Sequence, residues 1–214
     1  MQDNLKPGTR AVLAILVSSK LKKQFETTVK GVVKPLGGLG ITPNHLTILG
    51  MVLAGVTAYM YTKAPGDKNY LLYSAGMFMA SGFIDAIDGV LARSTGKVTR
   101  FGGFFDSVAD RYSDAIVYSG IIVAGLCYLW AGLFALFGSM LVSYTRARAE
   151  MEGVNMAGIG LAERAERMIF LALCTLTAYR YPQALNYGII ILAVLAHLTV
   201  LQRSLHFKKE IEKD

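Results

Sequence analysis

Charge is scarce in this chain: 17% of its 214 residues are Asp, Glu, Lys or Arg, against 53% that are hydrophobic. That balance is too apolar for an ordinary soluble domain. Cysteine is nearly absent. Cys127 and Cys174 lie in apolar surroundings at a spacing that fits no metal motif, so both read as small core residues. The N-terminus lacks an apolar stretch followed by a small-residue cleavage site, and no cleavable signal peptide is expected. No internal repeat and no low-complexity tract is visible, and nothing supports nucleic-acid binding.

Long apolar runs take the place of the missing charge. Residues 45–61, 70–87, 116–142, 168–179 and 185–201 are largely uncharged, and several approach the ~20 residues that span a bilayer. The chain therefore reads as an all-α integral membrane protein. Six transmembrane helices are expected near residues 43–63, 69–93, 102–127, 129–150, 162–181 and 184–206. Thr42 is placed to cap the first of them, with Pro43 at its first helical position. Residues 9–35 set Val12, Ile15, Leu16, Leu21 and Phe25 against Arg10, Lys20, Lys22, Lys23 and Lys30. This alternation predicts an N-terminal amphipathic helix lying on an anionic membrane surface. The expected organisation is a juxtamembrane segment over 1–40, a six-helix domain over 41–207 and a charged tail over 208–214.

The net charge is +7, and its placement says more than its size. With those spans, one side of the membrane carries only Lys63, Lys68 and Arg180 of the 22 Lys and Arg residues. The positive-inside rule puts the other side in the cytoplasm. Trp130, Tyr128, Tyr179 and Tyr181 fall where an aromatic interfacial belt would form.

Four aspartates lie on that cytoplasmic side: Asp85, Asp88, Asp106 and Asp110. The first pair is three residues apart and the second four, so on helices each pair projects from one face. Two facing helices would bring four carboxylates together. Four anions near lipid need counter-charge, and divalent metal is the most compact source. Oxygen-only ligands favour Mg²⁺ or Mn²⁺, and a pair of such ions is the usual device for phosphoryl chemistry. Gly89 and Ala92 share a face with the first pair, Arg93 is positioned for a phosphate, and Thr99 and Gly102 lead into the second. Pairing of these acids with Arg93, Arg100 and Arg111 is the plainer alternative. Asp114 continues the stripe of Asp106 and Asp110 and reads as a supporting or packing residue rather than a metal ligand.

The run D-x-x-D-G-x-x-A-R, then G-x-x-x-D-x-x-x-D, resembles the signature of the CDP-alcohol phosphotransferases. Here it is Asp85, Asp88, Gly89, Ala92, Arg93, Gly102, Asp106 and Asp110, without departure. The resemblance implies six transmembrane helices behind an N-terminal amphipathic helix, usually in a homodimer. It also implies displacement of CMP from a CDP-linked lipid by an acceptor hydroxyl. It makes the four aspartates ligands of two Mg²⁺ or Mn²⁺ ions, and Asp110 the general base. Gly89, Ala92, Arg93 and Thr99 would hold the CDP moiety, together with Asn44, His45, Leu46 and Thr47 of T-P-N-H-L-T. For His45, a helix-start position facing solvent or a neighbour is the alternative.

A second resemblance concerns the acceptor. Arg146 in S-Y-T-R-A-R, Arg167 in E-R-A-E-R and Arg203 in Q-R resemble the acceptor-phosphate residues of the phosphatidylinositol-phosphate synthase branch and its archaeal counterpart. The bacterial pattern has Lys at the first position and Pro where this chain has Ala165. Arg keeps the charge and binds phosphate bidentately. With Arg164, these residues form a basic cluster near the cytoplasmic ends of three late helices, which by itself suggests an anionic small molecule. Internal pairing with Glu150, Glu152 or Glu163 is the alternative. The implied substrates are CDP-diacylglycerol or CDP-archaeol and inositol 1-phosphate, among membrane lipids. Glycerol 3-phosphate, serine or another alcohol would keep the same chemistry. A cation- or proton-coupled transporter is the rival from another class, although it leaves the D-G-x-x-A-R context unexplained.

Overall fold

The computed structural model describes residues 31, 33, 35 and 40–212. From residue 40 on, the described residues form six helices: α1 (Pro43–Lys63), α2 (Asn69–Thr95), α3 (Arg100–Val123), α4 (Leu129–Met151), α5 (Arg164–Ala178) and α6 (Gln183–Ile211). Among the described residues there are no strands. The expected interfacial helix over 9–35 lies outside the described residues apart from Gly31, Val33 and Pro35, which are helical. Val33 is fully buried against a cluster that includes Leu46, Ile87, Val90 and Leu91.

Local chemistry sets the helix ends. Thr42 caps α1 with a reciprocal box: its side chain accepts from the His45 backbone, and the His45 side chain accepts from the Thr42 backbone. Pro43 costs nothing at the start of the helix, where an amide hydrogen would lack an internal partner. Gly96 ends α2 in the left-handed region at φ 67°, where a side chain would be strained. Thr99 then opens α3 by accepting from the Gly102 amide at 2.9 Å. The last helix runs through Lys208 to Ile211, so most of the expected tail is helical, with Lys208 paired to Glu212 at 3.5 Å.

Packing joins two trios. α1 lies against α2 and α3, while α6 lies against α4 and α5; α2 meets α5, and α3 meets α4. The apolar core between them includes Phe78, Ile121, Leu171, Leu185, Ile189 and Leu192. Helices approach closely where side chains are small. A Cβ on Gly120 would lie 2.7 Å from Cα of Ala58, so only glycine permits that α1–α3 contact. Buried hydroxyls pair with one another, as Tyr61 Oη does with Thr175 Oγ1 at 2.7 Å.

The outside of the bundle is apolar too. Val52, Phe83, Val123, Phe137, Leu173 and Val194, one from each helix, are among many large hydrophobic side chains left exposed. Water would penalise such a surface and a bilayer would not, which marks a membrane protein. Three helices, α1, α2 and α6, are long and apolar enough to cross a membrane by length and composition. Of the others, α5 has 15 residues, α3 carries three aspartates and two arginines, and α4 ends in Arg146, Arg148 and Glu150.

Candidate active site

The alternating course of the helices puts the start of α1, α3 and α5 at the same end as the finish of α2, α4 and α6. The candidate site residues all fall at this end. Lys63, Lys68 and Arg180 lie at the other, over the rings of Tyr59, Tyr179 and Tyr181 at 4.5–5.7 Å.

Asp85 and Asp88 project from α2, and Asp106 from α3, so that one ligand oxygen from each lies within 4.8 Å of the other two. Asp88 is buried, and its Oδ2 accepts from Thr47 Oγ1 at 2.7 Å. Carboxylates this close repel, and Arg164 pairs with Asp85 at 2.9 Å. A set of hard oxygen donors fits Mg²⁺ or Mn²⁺. Asp110 is outside this mutual triplet but lies beside Asp85. Its Oδ1 lies 2.7 Å from Arg164 Nη1 without hydrogen-bond alignment, and its Oδ2 is 3.4 Å from Arg111. Three of the four expected carboxylates are thus mutually close, and the fourth, Asp110, lies beside Asp85 while pairing with Arg164.

The carboxylates form a wall between two cavities. On one side, a cavity of about 290 Å³ is lined by Asp88 and Asp106 with Asn44, Thr47, Gly89, Ala92, Arg93 and Thr99. Six of the eight residues proposed for the CDP moiety meet here. His45 and Leu46 do not. Helical rotation turns them away from the face that Asn44 and Thr47 share: His45 is exposed and caps α1, and Leu46 packs in the apolar cluster around Val33. On the other side, a cavity of about 310 Å³ is lined by Asp85 and Asp110 with Arg146, Arg164, Arg167 and Arg203. Two of the four aspartates and all four arginines therefore share one chamber.

The arginines are held in different ways. Arg146 pairs with Glu150 one turn on, at 2.8 Å. Arg203 is buried and donates to the backbone carbonyls of Ile159 and Val142, so its charge is positioned by neutral groups. Arg167 is also buried and donates to the Ala162 carbonyl and to Ser139 Oγ. Arg164 departs from the phosphate-binding expectation: its guanidinium is taken up by Asp85 at 2.9 Å, Asp110 at 2.7 Å and Asp114 at 3.2 Å. Its position at the N-terminus of α5, facing both α2 and α3, brings it to three anions at once.

Ser139 escaped the sequence reading. It donates to Asp114 at 2.9 Å and receives from Arg167 at 3.3 Å. One signal was present, since Ser139 lies seven residues before Arg146 on the same helical face of an otherwise apolar run. That Ser139 would meet Asp114 of α3 and Arg167 of α5 had no sign in the sequence.

This arrangement of chain and site has known counterparts. Residues 40–201 match the family model described as CDP-alcohol phosphatidyltransferase. An archaetidylinositol phosphate synthase of Pyrococcus horikoshii is 40% identical over 195 residues, covering 91% of this chain and 98% of the relative. The crystal structure of Mycobacterium tuberculosis phosphatidylinositol phosphate synthase with CDP-DAG bound superposes with a TM-score of 0.74 at 29% identity, covering 84% of this chain and 92% of that one. The same enzyme in complex with manganese and citrate gives 0.74 at 30% identity, covering 84% and 88%. With the aspartate motif complete and the bundle matched over most of its length, the chain belongs to the CDP-alcohol phosphatidyltransferase family and is a transferase of that class.

Proposed function

We propose that this transferase moves the phosphatidyl or archaetidyl group of a CDP-lipid to inositol 1-phosphate and releases CMP. One observation carries the reading: a wall of carboxylates divides a glycine-lined cavity from an arginine-lined one. A reaction joining a CDP-lipid to a phosphorylated alcohol needs two such chambers meeting at a metal site. The names of the archaeal and mycobacterial relatives support the same pair of substrates.

In this reading Asn44, Thr47, Gly89, Ala92, Arg93 and Thr99 hold the CDP portion. Glycine and alanine let the nucleotide approach the helix backbone closely. Arg146, Arg167 and Arg203 orient the acceptor's phosphate, while Arg164 stays with the carboxylates. Two Mg²⁺ or Mn²⁺ ions held by Asp85, Asp88, Asp106 and Asp110 would neutralise the diphosphate and the charge that builds on departing CMP. Asp110 takes the proton from the acceptor hydroxyl. The hydroxyl oxygen bonds to the lipid-side phosphorus, the bond from that phosphorus to the bridging oxygen breaks, and CMP leaves with that oxygen. All six helices cross the bilayer in this reading, in a homodimer. The excess of Lys and Arg at the site end supports a cytoplasmic opening in the cell membrane.

CMP release by the purified protein in detergent tests this directly. Mg²⁺ and a CDP-lipid, ester or ether, are supplied with inositol 1-phosphate, glycerol 3-phosphate or serine in separate reactions. Release stimulated by inositol 1-phosphate alone is the expected result. Stimulation by another acceptor would overturn the assignment of the arginine cavity and leave the aspartate site standing. No release with metal bound would favour a transporter.

A further inference from the structure

One acidic residue of the site lies outside the family's aspartate motif. Asp114 follows Asp110 by one turn of α3, and its side chain is largely buried. Its hydrogen bonds and ion pairs join it to Arg164, to Arg167 and to Ser139, which itself accepts from Arg167. Oδ1 accepts from Nε of Arg164 at 3.2 Å. Oδ2 accepts from Ser139 Oγ at 2.9 Å and lies 3.8 Å from Nη2 of Arg167. Ser139 Oγ in turn accepts from that same Nη2 at 3.3 Å. Three helices are thereby tied together at one carboxylate: α3 through Asp114, α4 through Ser139, and α5 through both arginines.

Asp114 does not itself line the arginine cavity, whereas Arg164 and Arg167 do. Asp114 borders instead a gap of about 10 Å³ behind the two arginines, barely the space of one water. Solvent therefore has little room to replace the carboxylate. An arginine already fixed by a buried partner loses less rotamer freedom when it closes on an anion than one that must first be ordered.

We infer that Asp114 is a positioning residue for the acceptor pocket. Directly, and through Ser139, it fixes the guanidinium group of Arg167, while Arg164 ties the same carboxylate to α5, and so it sets the affinity for a phosphorylated acceptor that it does not touch. This rests on the acceptor-cavity reading above. A bare electrostatic role has the opposite sign: Asp114 is an anion near an anion site, so neutralising it would tighten phosphate binding. A packing role would disturb both substrates alike.

The test compares wild type, Asp114→Asn, Ser139→Ala and the double variant as full chains in detergent. The readouts are KM for each substrate from CMP release, and Kd for inositol 1-phosphate by calorimetry without CDP-lipid. Asp114→Asn should raise the KM and Kd for inositol 1-phosphate about tenfold or more, the worth of one charge-assisted hydrogen bond. The CDP-lipid KM should stay within about twofold, which is within ordinary context scatter. Ser139→Ala should move the same constants in the same direction by less, and the double variant should add little, since both act through one network. An unchanged or lower acceptor Kd in Asp114→Asn, or an equal rise in both KM values, would overturn the inference. Should Asp114→Asn fail to fold, Ser139→Ala decides alone, and an unchanged acceptor Kd there is equally fatal. If the wild type neither binds nor uses inositol 1-phosphate, the acceptor reading falls and takes this inference with it. If the wild type binds it and the variants match the wild type, only the role of Asp114 falls.

Discussion

Replacing Arg164 with Gln removes one cation from among three carboxylates. The Arg164 side chain is 20% exposed, and it lies within 2.7–3.2 Å of Asp85, Asp110 and Asp114. Removing one partner from a buried ion pair costs roughly 3–5 kcal/mol, because the remaining charge loses its compensation. These groups are partly solvated, so about 2–3 kcal/mol is the fitting range. For a chain of this size, ~1 kcal/mol moves Tm by about 2–4 °C, and the metal-free variant should melt about 5–10 °C below wild type. Arg148→Gln is the control. Its pair with Glu152 is shorter, at 2.6 Å, but the two side chains are 52% and 44% exposed. An exposed pair of this kind contributes within about 1 kcal/mol, so burial rather than distance should decide the outcome. Mn²⁺ then separates the variants further. A ligand that binds only the folded state raises Tm by mass action, and Asp85 and Asp110 are freer to accept the ion once Arg164 is gone. Differential scanning fluorimetry in detergent, with and without Mn²⁺, reads both effects. A metal-free loss no larger than that of Arg148→Gln, or a smaller Mn²⁺ shift in Arg164→Gln than in wild type, would refute the reasoning.

Other substitutions probe the two cavities and the bundle. Asp110→Asn should abolish CMP release while the protein remains folded by size-exclusion chromatography, since the amide has no basic oxygen to take a proton. Arg167→Ala should raise the acceptor KM far more than the CDP-lipid KM, and equal rises would remove Arg167 from the acceptor pocket. Thr47→Val deletes the 2.7 Å hydrogen bond to buried Asp88 and should cost about 1–3 kcal/mol in thermal or denaturant unfolding of the metal-free protein. Gly120→Val drives a branched side chain into the Ala58 backbone. It should destabilise the bundle by about 1–3 kcal/mol or more, visible as a lower Tm with the substrate KM values of the surviving protein unchanged.

Hydropathy and local capping were enough to place the six helices within a few residues of where they lie. Both are properties of short stretches: apolar runs end where charge, Gly96 or the Thr42 and Thr99 caps interrupt them. The aspartates were legible for the same reason, because spacings of three and four residues project side chains from one face of any helix. The arginine cluster was legible as a cluster, since its members sit at the ends of helices that alternate in direction. What each charge does with its neighbours was not. Arg164 meets Asp85 across 79 residues of chain, and Ser139 meets Asp114 across 25; the rotation of each helix about its axis selects those partners. The same rotation turned Asn44 and Thr47 into a cavity wall and His45 and Leu46 away from it. It also set Asp110 beside both Asp85 and an arginine. By itself the sequence determined an α-helical membrane chain and the family motif it carries, because these depend on periodicity and composition. Only the tertiary structure decided which carboxylates face one another and which arginines stay open to an anion, because those depend on helix packing between residues far apart in the chain.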